Sequence, residues 1–214
     1  STNSHGVISA RNINATFDSN YIGTNLQSDN LESLLDGLSH NDRNNLTLTN
    51  NVVGHNNNIG ISVNNSDNVT LYGNYVGINK NLDTAIGNGG TGIEIRDGSD
   101  NFRVGSTAQP NYIFDNAKAN PQYAGLSFFM NCDIGIVEGN FISGNANVEM
   151  TIFFNISHVR VVGNHIGPTA NPSIPTSIST DNAIGIVVGG SSNNIIGGTN
   201  PSDANIIAGV SGAG

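Results

Sequence analysis

A tetrapeptide of the form Asn-x-(Ile/Val)-small recurs along this chain, and a repeat of that kind restricts the fold to a stack of similar units. It reads Asn20-Tyr21-Ile22-Gly23, Asn51-Val52-Val53-Gly54, Asn74-Tyr75-Val76-Gly77, Asn140-Phe141-Ile142-Ser143, Asn164-His165-Ile166-Gly167 and Asn205-Ile206-Ile207-Ala208. Asn111-Tyr112-Ile113-Phe114 is a looser copy. Successive copies lie 23 to 41 residues apart, the spacing of a solenoid. Short apolar-alternating runs precede each copy: Leu46-Thr47-Leu48, Val69-Thr70-Leu71, Ile134-Gly135-Ile136 and Val159-Arg160-Val161. A second set lies one segment earlier: Ile59 to Val63, Gly92 to Ile95, Leu126 to Phe128 and Ile184 to Val187. Alternation over three to five residues, rich in Ile and Val and bounded by Gly and Asn, predicts strand. Only Leu31 to Asp36, with Asp29 and Asn30 before it, has helical spacing, and it predicts one or two turns at most.

Three short strands per repeat make one coil of a parallel β-helix, with coils stacked at about 4.8 Å around a narrow apolar column. The predicted fold class is therefore all-β: a right-handed parallel β-helix of about seven coils with loop insertions, forming a single domain over residues 1–214. This explains a composition that otherwise looks too polar to fold, with 37 asparagines, 27 glycines and 36% hydrophobic residues among 214. Asn tolerates the left-handed backbone of a tight corner, and its amide can bond the same amide of the next coil. Gly before Asn, as in Gly73-Asn74, Gly139-Asn140 and Gly163-Asn164, fits the same corner.

Composition also excludes several functions. Seven Lys and Arg against sixteen Asp and Glu give a net charge of -9, so nucleic acid is not an expected partner. No apolar run reaches the roughly 18 to 20 residues of a membrane span, so no membrane insertion is expected. Cys132 is the single cysteine and excludes an intrachain disulfide, a cysteine zinc site and a redox pair. The first residues lack the charged and apolar regions of a signal peptide. The acidic, lysine-poor, Asn/Ser/Thr/Gly-rich surface leans toward a secreted or cell-surface protein.

The strings from Asn74, Ala85 to Ile95, Ala183 to Gly189 and Asn194 to Thr199 resemble right-handed parallel β-helix repeats of bacterial secreted and surface proteins. The resemblance covers nearly the whole chain and implies the fold. It leaves activity open, because such coils carry polysaccharide lyases, hydrolases and epimerases as well as adhesins and fibre components. No end cap is evident at Gly6-Val7-Ile8-Ser9 or Ser211 to Gly214, which predicts a fragment or a subunit with covered ends.

The third tetrapeptide position is Ile or Val throughout and must face the inner column, so the second faces out. That outward stripe holds Tyr21, Val52, Tyr75, Tyr112, Phe141, His165 and Ile206, four of them aromatic in a chain that is only 6% aromatic. It is expected either to stack sugars or another subunit, or to form a secondary core beneath segments 77–91, 167–183 and 198–204. A second outward column contains Thr47, Thr49, Thr70, Tyr72, Arg103 and Arg160. Its two arginines, expected two coils or ~10 Å apart, have the chemistry to grip a carboxylated sugar, although a solvated strand face is the commoner reading.

No catalytic constellation is found. Glu94, Asp97 and Asp100 form the densest acidic cluster, but Asp97 and Asp100 fall in an Asp-Gly-Ser-Asp turn. There is no Asp-Asp pair and no Asp-Pro-His pattern, and Asp133 and Glu138 are placed at a turn and a corner. His5, His40, His55, His158 and His165 lack metal spacing and are expected in loops or on the surface. No cofactor and no metal are expected. An ice-binding Thr ladder fails where Arg103, Gly135 and Arg160 interrupt it. The leading expectation is a non-catalytic structural or adhesive β-helix module that self-associates through its coil ends into a fibre. The alternative is a carbohydrate-active or carbohydrate-binding β-helix with a polysaccharide as partner.

Overall fold

A computed structural model describes residues 5–10, 14–31, 33–42, 44–119, 123–167 and 184–209. They form a right-handed parallel β-helix whose three sheets each contain seven strands, one from every coil. Sheet A consists of Val7–Ala10, Leu38–Asn41, Ile61–Asn64, Ile93–Arg96, Ala124–Phe129, Val148–Phe153 and Ile184–Gly189. Sheet B consists of Ala15–Asp18, Leu46–Thr49, Val69–Tyr72, Asp100–Val104, Asp133–Glu138, Ser157–Val162 and Ile195–Ile196. Sheet C, the tetrapeptide sheet, consists of Tyr21–Ile22, Val52–Val53, Tyr75–Val76, Tyr112–Phe114, Phe141–Ser143, His165–Ile166 and Ile206–Ile207. Every strand pairs in parallel with its counterpart one coil away, so each coil numbered 1 to 7 contributes an A, a B and a C strand.

The inner column is apolar because the pleat sends alternate residues inward. Ile22, Val53, Val76, Ile113, Ile142 and Ile166 of sheet C are buried against Leu46, Leu71, Val104, Val137 and Val161 of sheet B. Sheet A adds Ile61, Ile93, Leu126 and Met150. Phe102 and Phe128 stack inside this column with ring centroids 4.8 Å apart. Gly135, in register with Phe102, lies beneath that ring, and a methyl group there would collide with it. Gly135 is thus an inner residue, and it is Ile136 that lies in the outward column between Arg103 and Arg160. This corrects the expectation that Gly135 interrupts the threonine ladder.

The B-to-C corner is held by a buried asparagine ladder. Nδ2 of Asn20, Asn51, Asn74, Asn111, Asn140 and Asn164 each donates to Oδ1 of the next ladder residue, ending at Asn205, at 2.9 to 3.0 Å. Each Oδ1 also accepts from the preceding ladder residue's backbone N–H, and each Nδ2 from Asn51 onward also reaches a sheet B carbonyl. At five of the seven ladder positions the left-handed residue is not the ladder asparagine but the one before it: Ser19, Asn50, Gly73, Gly139 and Gly163 have φ of 57 to 68°. The ladder asparagine needs its side chain turned into the stack, while the residue before it turns the chain.

A second ladder, Asn56 to Asn88 to Asn116 to Asn145, runs along the C-to-A corner. Opposite it, Gly37, Gly60, Gly92 and Gly125 open sheet A, because a Cβ at each would press on one of these amides. Residue 31 and residues 33–36, part of the segment predicted as a short helix, are not helical. Asp36 instead accepts hydrogen bonds from Asn58 Nδ2 and the Ile59 N–H, which draws this segment into the start of the next coil. Among the described residues the one helical turn is the 3₁₀ turn Pro201–Asp203. His40 is not on the surface either; it occupies the inner column, fully buried, with Nδ1 3.0 Å from Ser9 Oγ.

Candidate functional site

The tetrapeptide stripe lies on the outer face of sheet C as expected, and its middle is stacked. Tyr75 and Tyr112 have ring centroids 5.1 Å apart, Tyr112 and Phe141 5.2 Å, and Phe141 and His165 4.8 Å. These rings are half-buried, Tyr21 is 36% exposed and Val52 is buried. The segment after Tyr75 folds back so that Ile78 and Phe114 form a small second core with Tyr75, Leu82, Tyr112 and Phe141. Of the two readings offered by the sequence, the middle of the stripe follows the secondary core. Burial pushes the Tyr75 phenol up, with Tyr112 adding to the shift. Of the other covering segments, residues 168–183 lie outside the described residues. Segment 198–204 turns toward sheet B, where Asp203 meets Arg160.

On sheet B, Arg103 and Arg160 share one outward column, two coils apart. Arg160 is engaged by Asp203 at 2.8 Å, while Arg103 is exposed and has no ion pair among the described residues. The two guanidinium groups therefore present one free charge, not a matched pair. Asp133 and Glu138 are the first and last residues of a sheet B strand rather than turn and corner residues. Asp100 likewise opens a strand. Asp67 and Asp100 each accept a backbone N–H from the next coil, so these carboxylates serve the A-to-B corner. An open hollow of about 450 Å³ beside them is lined by Asp42, Asn44, Asn65, Asp67 and Asp100. Among the described residues no group of three His, Cys, Asp or Glu is placed to hold a metal. Cys132 is buried, and burial pushes its thiol up to about 11, which leaves it an inert core residue.

The outer face of sheet A holds the arrangement that the sequence did not reveal. The register aligns Ser39, Ser62, Glu94, Ser127 and Thr151 in one outward column. The hydroxyl residues of this column are buried, so the column is the floor of a groove. Two positions further along each strand, Arg96, Phe129 and Phe153 form one wall. Thr91 and Tyr123, which precede the strands of coils 4 and 5, line the other side. The volume of this part of the groove is about 220 Å³.

Its polar groups are few and convergent. Glu94 Oε1 lies 3.2 Å from Arg96 Nη1, and Arg96 Nε lies 3.5 Å from Asp97 Oδ2. The Glu94–Arg96 contact is an ion pair without hydrogen-bond geometry, and Glu94 Oε1 is itself buried beside Arg96. Burial pushes the Glu94 carboxyl up; Arg96 opposes this, and Asp36 and Asp97 add to it. Thr151 Oγ1 donates to Ser127 Oγ at 2.9 Å on the floor. A carboxyl group, a guanidinium, a phenol and hydroxyls between phenyl rings are the groups that hold a sugar or sugar acid. The signal in the sequence was the outward pair Glu94 and Arg96 together with the doublets Phe128-Phe129 and Phe153-Phe154. Phe128-Phe129 sends one ring outward whichever way the strand faces, and Phe153-Phe154 puts Phe153 on the outer face at the strand end and Phe154 on the corner beyond it.

No protein-family model and no curated protein matches the sequence. Solved structures do resemble the fold. A periplasmic alginate epimerase, AlgG, superposes over 98% of this chain and 48% of its own, with a TM-score of 0.58 and 14% identity. The A-module of a mannuronan C-5 epimerase from Azotobacter vinelandii covers 92% of this chain and 58% of its own, with a TM-score of 0.46 and 16% identity. The chain thus spans about half the length of these neighbours, and the likeness to AlgG is one of fold.

Proposed function

We propose that this protein is a carbohydrate-active β-helix that binds a uronate-containing polysaccharide in the groove on sheet A. The observation that carries the reading is the convergence of Glu94, Arg96 and Tyr123 over a hydroxyl floor, flanked by Phe129 and Phe153. Coils repeat at about 4.8 Å, close to the length of one sugar unit, so a polymer lying across the coils meets equivalent positions in turn. Arg96 holds a sugar carboxylate, and its charge favours proton loss at the adjoining carbon. Glu94, its carboxyl raised by burial, and Tyr123 are the groups placed to move that proton. The fold neighbour named as an alginate epimerase supports this reading over a purely adhesive role. That neighbour is a periplasmic protein, which supports a secreted or periplasmic location.

Binding to alginate, polygalacturonate and a neutral glucan, measured by calorimetry, tests the proposal. The acidic polymers are expected to bind, more weakly as salt rises, and Arg96→Ala is expected to weaken binding by about tenfold, or ~1.4 kcal/mol. Incubation followed by product analysis should show uronate turnover that Glu94→Gln abolishes. Equal affinity of wild type and Arg96→Ala for every polymer would overturn the assignment.

Self-association through the coil ends is a separate proposal. Ile195, Ile196, Ile206 and Ile207 of coil 7 are all exposed, which supports it.

A further inference from the structure

The corner that leads from sheet A to sheet B changes character beside the groove. In register along it lie Asp42, Asn65, Asp97, Met130, Phe154 and Gly190, every one left-handed, with φ between 48 and 63°. Asp, Asn and Gly are the residues that accept this conformation readily, and they fill the corner elsewhere. Coils 5 and 6 instead carry Met130 and Phe154, which do not favour it. Burial does not compensate for this, because Met130 is 42% and Phe154 55% exposed. Two strained residues that hold apolar side chains in water contribute little to folding, and such strain is concentrated at working surfaces.

The position of these residues indicates what the surface does. Phe154 packs edge-on against Phe129 at 5.2 Å and lies 5.8 Å from Phe153. Phe129 and Phe153 also line the groove, so the apolar corner continues its wall outward. Gly189, in register with Phe153, leaves room for the Phe153 ring, because a Cβ there would strike it. We infer that Met130 and Phe154, with Phe129 and Phe153, form a stacking lip that takes the apolar C–H face of a pyranose ring belonging to the polysaccharide in the groove. The inference rests on the groove reading above and adds a subsite to it. Arg96 and Glu94 engage one sugar unit, and the lip fixes the unit beyond it, so the ligand is a chain of several sugars rather than a monosaccharide.

The test uses Phe154→Asn and Met130→Asn, which install the residue this corner carries elsewhere. Both variants are expected to keep or raise the melting temperature by a few degrees. Both are expected to weaken binding of a uronate hexasaccharide about fivefold while leaving binding of the monosaccharide unchanged. A marked fall in melting temperature would show a structural anchor and overturn the lip. Unchanged hexasaccharide affinity in Phe154→Asn, with affinity still lost in Arg96→Ala, would overturn the lip and leave the groove standing. If the wild type binds no uronate polymer, both readings fall. Sedimentation showing a wild-type dimer that Phe154→Asn dissolves, with sugar binding intact, would reassign the lip to contact between two copies of the chain.

Discussion

Backbone conformation, more than side-chain chemistry, explains where individual asparagines sit. At the start of sheet B, Asn14, Asn45, Asn68, Asn101 and Asn193 are left-handed, with φ of 54 to 64°, and largely exposed. Coils 5 and 6 place Ile134 and His158 in the same column, at φ of 53 and 51°. His158 is tied by its Nδ1 to Asp133 Oδ1 at 2.8 Å. Ile134 is β-branched and 58% exposed, so it bears the strain without the local polar contacts available to Asn or His. Ile134→Asn is expected to stabilise the protein by about 1 kcal/mol, read as a shift in the denaturant midpoint at unchanged slope. A loss of stability would mean that the isoleucine side chain makes a contact worth more than the strain.

Ladders, rather than single hydrogen bonds, hold the corners as elements. In the B-to-C ladder each buried amide uses its donors and acceptors along the stack, so removing one rung leaves groups on two coils unsatisfied. Asn111→Ala strips the acceptor from the Asn74 N–H and Nδ2, and the donor from the Leu71 carbonyl and Asn140 Oδ1. It is expected to cost about 3 kcal/mol of unfolding free energy, against well under 1 kcal/mol for an exposed asparagine such as Asn57. Equal losses at the two positions would count against the ladder as a stabilising element. This ladder was legible because its repeat is local: the same four residues recur, and the apolar third position sets the facing. The groove was not, because Phe128 and Phe129, or Phe153 and Phe154, are equally apolar as a sequence. Only the pairing of strands shows that Phe128 stacks on Phe102 inside while Phe129 stands in the wall beside Arg96. The tetrapeptide stripe was legible in position but not in role, since only the fold-back of Ile78 and Leu82 shows that Tyr75 and Tyr112 are partly core.

At the scale of the whole molecule the described core is an apolar column broken by the imidazole of His40, and beside it one buried group carries a large electrostatic cost. Glu149 occupies the register position that is Gly37, Gly60, Gly92 and Gly125 in earlier coils, and it is completely buried. Its carboxylate ends the C-to-A ladder, accepting from Asn145 Nδ2 at 2.6 Å and from the Gly144 N–H at 3.0 Å. Burial pushes its pKa up to about 8, with the hydrogen bonds from Asn145 and Gly144 and the charge of Lys118 acting in the opposite direction. A raised carboxyl binds its proton more tightly in the folded state, so its contribution to stability is whole below pH ~4.5 and lost as pH rises toward about 8. Over that window unfolding free energy is expected to fall by up to ~1.4 kcal/mol per pH unit from this group, and Glu149→Gln should flatten the decline. A wild-type profile that is level from pH 5 to 8 would show Glu149 to be ionised in the fold. By itself the sequence determined the solenoid, its three-strand coil, the asparagine ladder and the inner column, because each follows from a short pattern repeated at every coil. Tertiary structure alone decided which residues meet across coils: the groove of Arg96, Phe129 and Phe153, the Met130 and Phe154 corner, and the place of buried Glu149 at the end of the C-to-A ladder. Register across coils decides this, because it sets Arg96 beside Phe129, Phe129 beside Phe153 and Glu149 at the position that is glycine in earlier coils.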